Sequence, residues 1–145
     1  MAYSNIAWSM YGQLQSKINT EIVKCEIENK YYLPTEVDET EFMGKFSFGI
    51  VLHLNADVEI AEETGASDYN VRWYQWTAKA FLNDSEERQK TIFDFAEHIK
   101  YALQQNKVNS TYWQSIRNIN IEYPQPEAQS NVKIALITFE VMYAG

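Results

Sequence analysis

Apolar and polar residues alternate over residues 46–60, and this pattern predicts a long strand around which the rest of the chain is arranged. The even positions are all apolar: Phe46, Phe48, Ile50, Leu52, Leu54, Ala56, Val58 and Ile60. Because successive side chains of a strand point to opposite faces, the alternation predicts one apolar and one largely solvated face. At about 3.3 Å per residue the strand would span roughly 50 Å. We expect it either to bend, with Gly49 as the candidate position, or to form one arm of a long hairpin.

The alternating pattern of residues 71–82 predicts a strand that forms the second arm of that hairpin. One face of this strand carries Tyr74, Trp76, Ala78, Ala80 and Leu82. The polar segment 61–70 separates the two strands, so antiparallel pairing is the simplest arrangement.

An amphipathic helix is predicted for residues 3–24. Apolar residues recur there at three- and four-residue steps: Tyr3, Ala7, Met10, Tyr11, Leu14, Ile18 and Ile22. Ser4 or Asn5 is placed to cap its start. Trp8 lies about a right angle from the centre of this stripe, which makes it a candidate contact for a partner. Packing of Trp8 against a strand end or a loop of its own chain is the alternative.

A second helix is predicted to begin at Asp84 or Ser85 and to continue to about Gln105. Its buried stripe consists of Ile92, Ala96, Ile99 and Leu103, flanked by Phe93, Phe95 and Ala102. Tyr101 lies near the middle of the opposite, polar face, where folding does not require it. We therefore treat Tyr101 as a candidate interface residue, with an ordinary exposed tyrosine as the alternative.

Two further strands complete the predicted sheet. The first contains Ile119, Ile121 and Tyr123 and ends at Pro124, and the second covers residues 132–143. The last strand is apolar on both faces, with Ala135, Ile137, Phe139, Val141 and Tyr143 on one and Ile134, Leu136 and Met142 on the other. Such a strand is usually covered on both sides. If helices cover only one face of the sheet, the second set becomes a candidate contact with a neighbouring subunit.

A short edge strand or an extended segment is also expected within residues 22–33, and with the strand the order is α-β-β-β-α-β-β. The pattern indicates one α+β domain over residues 1–145, with a mainly antiparallel sheet, a long β-hairpin and two helices packed on it.

The formal net charge of −8 argues against a nucleic-acid clamp, which needs a basic face to neutralise phosphates. Acidic residues cluster around the predicted hairpin tip: Asp57, Glu59, Glu62, Glu63 and Asp68. Cys25 is the only cysteine, so an internal disulfide is excluded and a reducing compartment is expected. We expect neither a secretory signal nor a membrane span from the sequence.

Enzyme signatures are missing from the sequence. The five glycines are scattered, so no phosphate-binding or dinucleotide-binding loop can be built. Neither a nucleophile elbow nor a zinc-binding spacing occurs. Asp94, Glu97 and His98 share a helix face, and a solvated polar face explains them better than a metal site. We predict a protein that is not an enzyme, with no catalytic residue, metal or cofactor, although a nucleophile–base pair assembled only by the fold stays open.

Four features of the second half follow one another in a familiar order. They are a tryptophan-containing strand (73–81), a helix opened by Ser85 and Glu86, a strand near 119–123, and the closing segment Leu136-Ile-Thr-Phe-Glu-Val-Met-Tyr143. With the preceding helix and hairpin, this order resembles the tail terminator proteins of long-tailed bacteriophages, including the lambda-type terminator and related tail-completion and neck proteins.

The resemblance implies a virion subunit, made in the host cytoplasm, that closes into a ring, usually a hexamer, at the head-proximal end of the tail. Its partners would be other copies of itself, the tail tube protein and the head–tail connector, with DNA crossing the lumen without specific binding. The candidates for lumen or tube contact are then Asp57, Glu59, Glu62, Glu63 and Asp68. The candidates for contact between subunits are Trp8, Tyr101, Ile134, Leu136 and Met142.

Other interpretations stay open at this point. A tail tube subunit also combines a sheet, a helix and a long hairpin. A small-ligand-binding or enzymatic α+β domain would use the concave face of the sheet as its pocket. A toxin-neutralising or adaptor protein is compatible with the acidic charge.

Overall fold

The computed structural model describes residues 5–22, 48–61, 70–83, 89–109, 111–124 and 132–144. In chain order these residues form α1 (Ile6–Ile22), β1 (Phe48–Ala61), β2 (Asn70–Asn83), α2 (Gln89–Gln105), β3 (Ser115–Glu122) and β4 (Val132–Ala144). The predicted α+β class is confirmed, and these elements follow the predicted order. The short strand predicted within residues 22–33 lies outside the described residues, apart from Ile22, which ends α1.

The sheet is antiparallel throughout, and its described strands are ordered β1-β2-β4-β3. β1 and β2 pair with each other along their length, which confirms the predicted long hairpin. β4 lies between β2 and β3, an interior position that agrees with its two apolar faces. Among the described strands, β1 and β3 are therefore the outer two.

Both helices pack on one face of this sheet and against each other. α1 lies over the β1 side, where Ile18 adjoins Ile50 and Leu52. α2 lies over β4 and also contacts β2 and β3. The predicted stripes of both helices are the buried ones: Met10, Leu14, Ile18 and Ile22 in α1, and Ile92, Phe95, Ala96, Ile99, Ala102 and Leu103 in α2. Each large side chain that is fully buried in this way contributes about 1.5–3 kcal/mol of transfer free energy.

A β-bulge interrupts β1, and it lies at Asn55 rather than at Gly49. Gly49 is paired in regular register with Phe81. The register shifts between Leu54 and Ala56, so that Asn55 is the extra residue on this strand. The proposed bend at Gly49 is therefore wrong.

The bulge turns the apolar even positions of β1 from one face of the sheet to the other. Before the bulge, Leu54 lies opposite the buried Trp76 on the face that the helices cover. After the bulge, Val58 lies opposite Trp73 on the second face, and Val58 is 41% exposed. One extra residue reverses the facing of all residues that follow it in the strand. The prediction of a single apolar face is therefore wrong beyond the bulge.

A buried tryptophan fixes the connection between α2 and β3. The Trp113 side chain is fully buried, and its indole N–H donates to the backbone oxygen of Asn106 at 2.7 Å. The Asn106 side chain in turn donates to the backbone oxygen of Ala102, in the last turn of α2, at 2.7 Å. A backbone bridge between Asn109 and Trp113 closes the same turn. These bonds hold β3 at a fixed place beside the helix.

β3 has an irregularity of its own, between Arg117 and Asn120. Asn118 has a φ of 54° there, in the left-handed region that asparagine tolerates better than most residues. Its side-chain amide donates to the Glu140 carboxylate of β4. The irregularity is thus tied to the neighbouring strand.

Candidate interaction surfaces

The first turn of α1 holds an exposed tryptophan in a fixed position. Asn5 caps the helix, as predicted, and its side-chain oxygen accepts the backbone N–H of Trp8 at 3.0 Å. Trp8 is 70% exposed, and its ring stacks on Tyr11 with the centroids 5.6 Å apart and the planes 11° apart. Tyr11 lies 6.1 Å from the ring of the buried Trp76. Three aromatic rings in series therefore connect Trp8 to the core.

An open groove of about 430 Å³ lies beside these rings. Its lining, which comes from α1, β1 and β2, consists of Asn5, Ala7, Trp8, Tyr11, Leu52, Leu54 and Trp76. None of these lining residues is charged. The indole N–H of Trp76 is directed to the sulfur of Met10 at 3.2 Å, so Trp76 presents carbon surface to the groove. We call this feature the Trp8 groove.

A second exposed aromatic pair lies on the other side of the molecule, where α2 adjoins the end of β3. The rings of Phe93 and Tyr123 meet edge to face with their centroids 4.8 Å apart. Phe93 is 44% exposed and Tyr123 is 40% exposed. Burial, and secondarily the Glu97 carboxylate, raises the pKa of Tyr123 above its ordinary value. The phenol is therefore neutral at physiological pH and can donate a hydrogen bond.

Sequence reasoning missed this Phe93–Tyr123 pair. The sequence pattern places Phe93 at the flank of the buried stripe of α2, and it places Tyr123 only in a strand. Periodicity describes one element at a time, so it carries no signal for a contact between a helix and a distant strand end.

On the second face of the sheet, polar groups surround a tryptophan. The Arg117 guanidinium lies 3.4 Å from the centroid of the Trp73 ring. Its Nε is also 3.4 Å from Oε1 of Glu140, and the Gln75 amide donates to the other oxygen of that carboxylate, Oε2, at 3.5 Å. Trp73 is only 8% exposed, although it lies outside the core beneath the helices.

The predicted subunit contacts of β4 lie on this second face. Their partners on β2 are Phe81 for Ile134, Lys79 for Leu136 and Trp73 for Met142. All three β4 side chains are half-buried. Phe81 is buried already within the single chain, at 1% exposure, with the Lys79 ammonium 4.7 Å from its ring centroid. A neighbouring subunit would therefore meet mainly aliphatic and methionine surface here.

Of the acidic hairpin residues, only Asp57 has a side chain that the structure describes. Its carboxylate forms an ion pair with Arg72, whose guanidinium also lies 5.2 Å from the Tyr74 ring centroid. Glu59 belongs to β1, but its side chain is not among those described. Glu62, Glu63 and Asp68 lie outside the described residues. Arg72 thus offsets the charge of Asp57, and the role predicted for these five residues stays a prediction.

Tyr101 borders a polar recess of about 490 Å³ between the two helices. The recess is lined by Glu21, Asp94, Glu97, His98, Tyr101 and Gln104. Tyr101 is 48% exposed, and His98 lies 4.0 Å from the Glu21 carboxylate. Within the described residues, no group of three or more His, Cys, Asp or Glu side chains is placed to hold a metal ion.

Charge is distributed unevenly between the described ranges and the rest of the sequence. Acidic and basic residues nearly balance within the described ranges, with one more basic than acidic residue, so the whole of the net negative charge belongs to the remaining segments. Neither described helix has the length and apolar character that crossing a membrane requires.

The described surface of this small α+β chain thus carries an uncharged groove, an exposed aromatic pair and a polar recess. No protein-family model and no curated protein matches the sequence. Among solved structures, the fold is similar to that of a chain in the virion of the native gene transfer agent (GTA) particle, with a TM-score of 0.59 and 10% sequence identity. The likeness covers 95% of this chain and 99% of that chain. At this identity the likeness concerns the fold, and it extends over nearly the whole of both chains.

Proposed function

We propose that this protein is a structural component of a phage-like virion that forms a ring at the head-proximal end of the tail. In this role it ends polymerisation of the tail tube and joins the tail to the head connector. The observation that carries the proposal is the fold shared with a chain of a gene transfer agent virion over 95% of this chain. The resemblance of its second half to tail terminators supports the finer assignment.

The mechanism of such a protein is the physics of its interfaces. A contact between two different patches of the same chain repeats from copy to copy, and it closes into a ring when the rotation per copy allows. One side of the ring copies the contacts that a further ring of tube protein would make. The opposite side lacks those contacts, so the tube stops growing and the connector binds instead.

The surfaces that we propose for this assembly are the ones that the sequence predicted. Contacts between subunits are assigned to Trp8, Tyr101, Ile134, Leu136 and Met142. The lumen or the contact with the tube is assigned to the acidic hairpin residues Asp57, Glu59, Glu62, Glu63 and Asp68. An acidic lumen lets DNA pass without binding, because phosphate attracts only basic surfaces.

The state of the purified chain tests the proposal. We expect light scattering to give one discrete multiple of the monomer mass, with a hexamer as the expected size, and negative-stain images to show closed rings. A monomer at every concentration would contradict the ring assembly. Long cylinders would instead identify a tail tube subunit, the second candidate, which the long β1–β2 hairpin also fits.

A pair of variants tests the second face of the sheet separately. Leu136→Asp places a charge on a half-buried position of β4, and we expect it to release monomers from the ring. Val108→Asp makes the same chemical change at a position that is 72% exposed in the α2–β3 connection, and we expect it to leave the rings intact. Circular dichroism of both variants confirms that they are folded. Rings that survive Leu136→Asp would exclude this face as a contact.

A further inference from the structure

We propose that Tyr123 and Pro124 of one copy bind in the Trp8 groove of the next copy. The inference rests on the ring assembly proposed above and assigns the two patches that meet in it. It places a second copy of this chain, rather than a small molecule, in the groove.

The two patches lie on opposite sides of the molecule. The Trp8 groove is lined by α1, by β1 and by Trp76 of β2, and β1 is one outer strand of the described sheet. Tyr123 and Pro124 directly follow β3, which is the other outer strand. A contact between opposite sides of successive copies is head-to-tail, and that is the kind of contact that generates a ring.

The chemistry of the two patches matches. The described lining of the groove carries no charge and presents aromatic and aliphatic surface, which is the kind of surface that binds proline and tyrosine side chains. Tyr123 and Pro124 are likewise uncharged and exposed, in a chain with a net charge of −8. The Glu97 carboxylate acts on Tyr123, but the described lining of the groove carries no like charge to repel it, so copies approach here at less cost than at their acidic segments.

Both patches are also rigid before they meet. The groove is fixed by the stack of Trp8 on Tyr11 and by the Asn5 cap. On the other side, Phe93 holds the Tyr123 ring edge to face at 4.8 Å, and the ring of Pro124 fixes its own φ. Binding therefore orders few side chains, which favours a specific contact. Exposed rigid aromatic residues of this kind are typical interface hot spots.

Cross-linking tests the contact. In a Cys25→Ser background, Ala7→Cys places a thiol on the groove, and Glu122→Cys places one at an exposed position beside Tyr123 and Pro124, which both stay intact. We expect a short bifunctional maleimide to give a dimer band when the two variants are mixed, but no band from either variant alone. The variant that carries both thiols should give a ladder that ends at the size of the ring.

Each outcome separates this inference from the proposed function. Rings in the micrographs without a mixed cross-link would overturn the contact and leave the ring proposal standing. A mixed cross-link without closed rings would support the contact and overturn the terminator role. Cross-linking of Ala7→Cys with itself would show a symmetric contact of groove with groove and overturn the inference.

A second measurement uses truncation in place of cross-linking. Trp8→Ala removes the exposed ring that borders the groove, and we expect it to raise the concentration at which the ring dissociates about tenfold or more, the usual effect of losing a hot-spot tryptophan. Val108→Ala truncates an apolar side chain of similar exposure, 72% against 70% for Trp8. We expect this variant to leave the concentration at which the ring dissociates unchanged. Equal effects of the two variants would contradict the proposal.

Discussion

The guanidinium of Arg117 lies 3.4 Å from the centroid of the Trp73 ring, on the face of the sheet opposite the helices. The two residues belong to β3 and β2, which are separated in the sheet by β4. Arg117 therefore reaches across the intervening strand, where it also meets the Glu140 carboxylate. The Arg117 guanidinium thus lies over an aromatic ring that is outside the core beneath the helices.

The first prediction concerns the stability that this contact provides. Arg117→Ala should lower the free energy of unfolding by about 1 kcal/mol, because it removes a cation–π contact and exposes the Trp73 ring. Arg117→Lys keeps the charge but lacks the planar group that stacks on the ring, so it should recover only part of the loss. Urea unfolding, monitored by tryptophan fluorescence, measures the free energy of unfolding of both variants. Lys107→Ala, at an exposed position, is the control. If Arg117→Ala and Lys107→Ala are equally stable, the contact contributes nothing.

The second prediction concerns the left-handed backbone of Asn118, whose φ is 54°. Asn118→Gly should be nearly neutral, since glycine adopts this conformation freely and offsets the lost hydrogen bond to Glu140. Asn118→Val should cost about 1–2 kcal/mol, because a β-branched side chain is strained at positive φ. Thermal unfolding measures the stability of the two variants. Equal stability of the valine and glycine variants would show that the backbone at residue 118 does not strain a β-branched side chain.

The third prediction concerns the buried Trp113. Trp113→Phe should lower the free energy of unfolding by about 2 kcal/mol, because it removes the hydrogen bond to the Asn106 carbonyl and leaves a void in the core. Val108→Ala also truncates an apolar side chain, but at a position that is 72% exposed in the same connection, and it should cost little. Chemical denaturation of both variants is the measurement. Comparable losses would show that the burial of Trp113 does not determine the effect.

The fourth prediction concerns pH. Burial and the Glu97 carboxylate raise the pKa of Tyr123 in the folded chain, whereas the unfolded chain titrates near the ordinary value of about 10. The folded state therefore holds this proton more tightly. Its contribution to stability is fully present below about pH 10 and is lost as the pH rises through the folded pKa.

Glu97→Gln tests the second of these two causes. It should move the pKa of Tyr123 downward but leave it above the ordinary value, since burial remains. Carbon-13 NMR of labelled tyrosine rings follows the titration, and Tyr123→Phe assigns the signal. If the pKa of Tyr123 is unchanged in Glu97→Gln, the Glu97 carboxylate does not contribute to the shift. Asp94→Asn, on the same helix, is the control.

Much of the fold could be predicted from local pattern. Alternation with a period of two identified the hairpin. Its register and the burial of Tyr74, Trp76, Ala78 and Ala80 confirm that these residues share one face of β2. Apolar residues at three- and four-residue steps identified the buried stripes of both helices and left Trp8 outside them. These predictions succeeded because the facing of a side chain within a regular element depends only on its position in that element.

The bulge at Asn55 and the pairs Phe93–Tyr123 and Arg117–Trp73 were decided only by the tertiary structure. The alternating pattern continues through Asn55 without a break. The sequence therefore does not indicate that the side chains change to the opposite face of the sheet there. Each pair joins residues that are distant in sequence and meet through strand order and helix packing. The sequence by itself determined which elements form and which of their faces are apolar. The packing of those elements decided which apolar residues remain exposed, because exposure depends on what the rest of the chain covers.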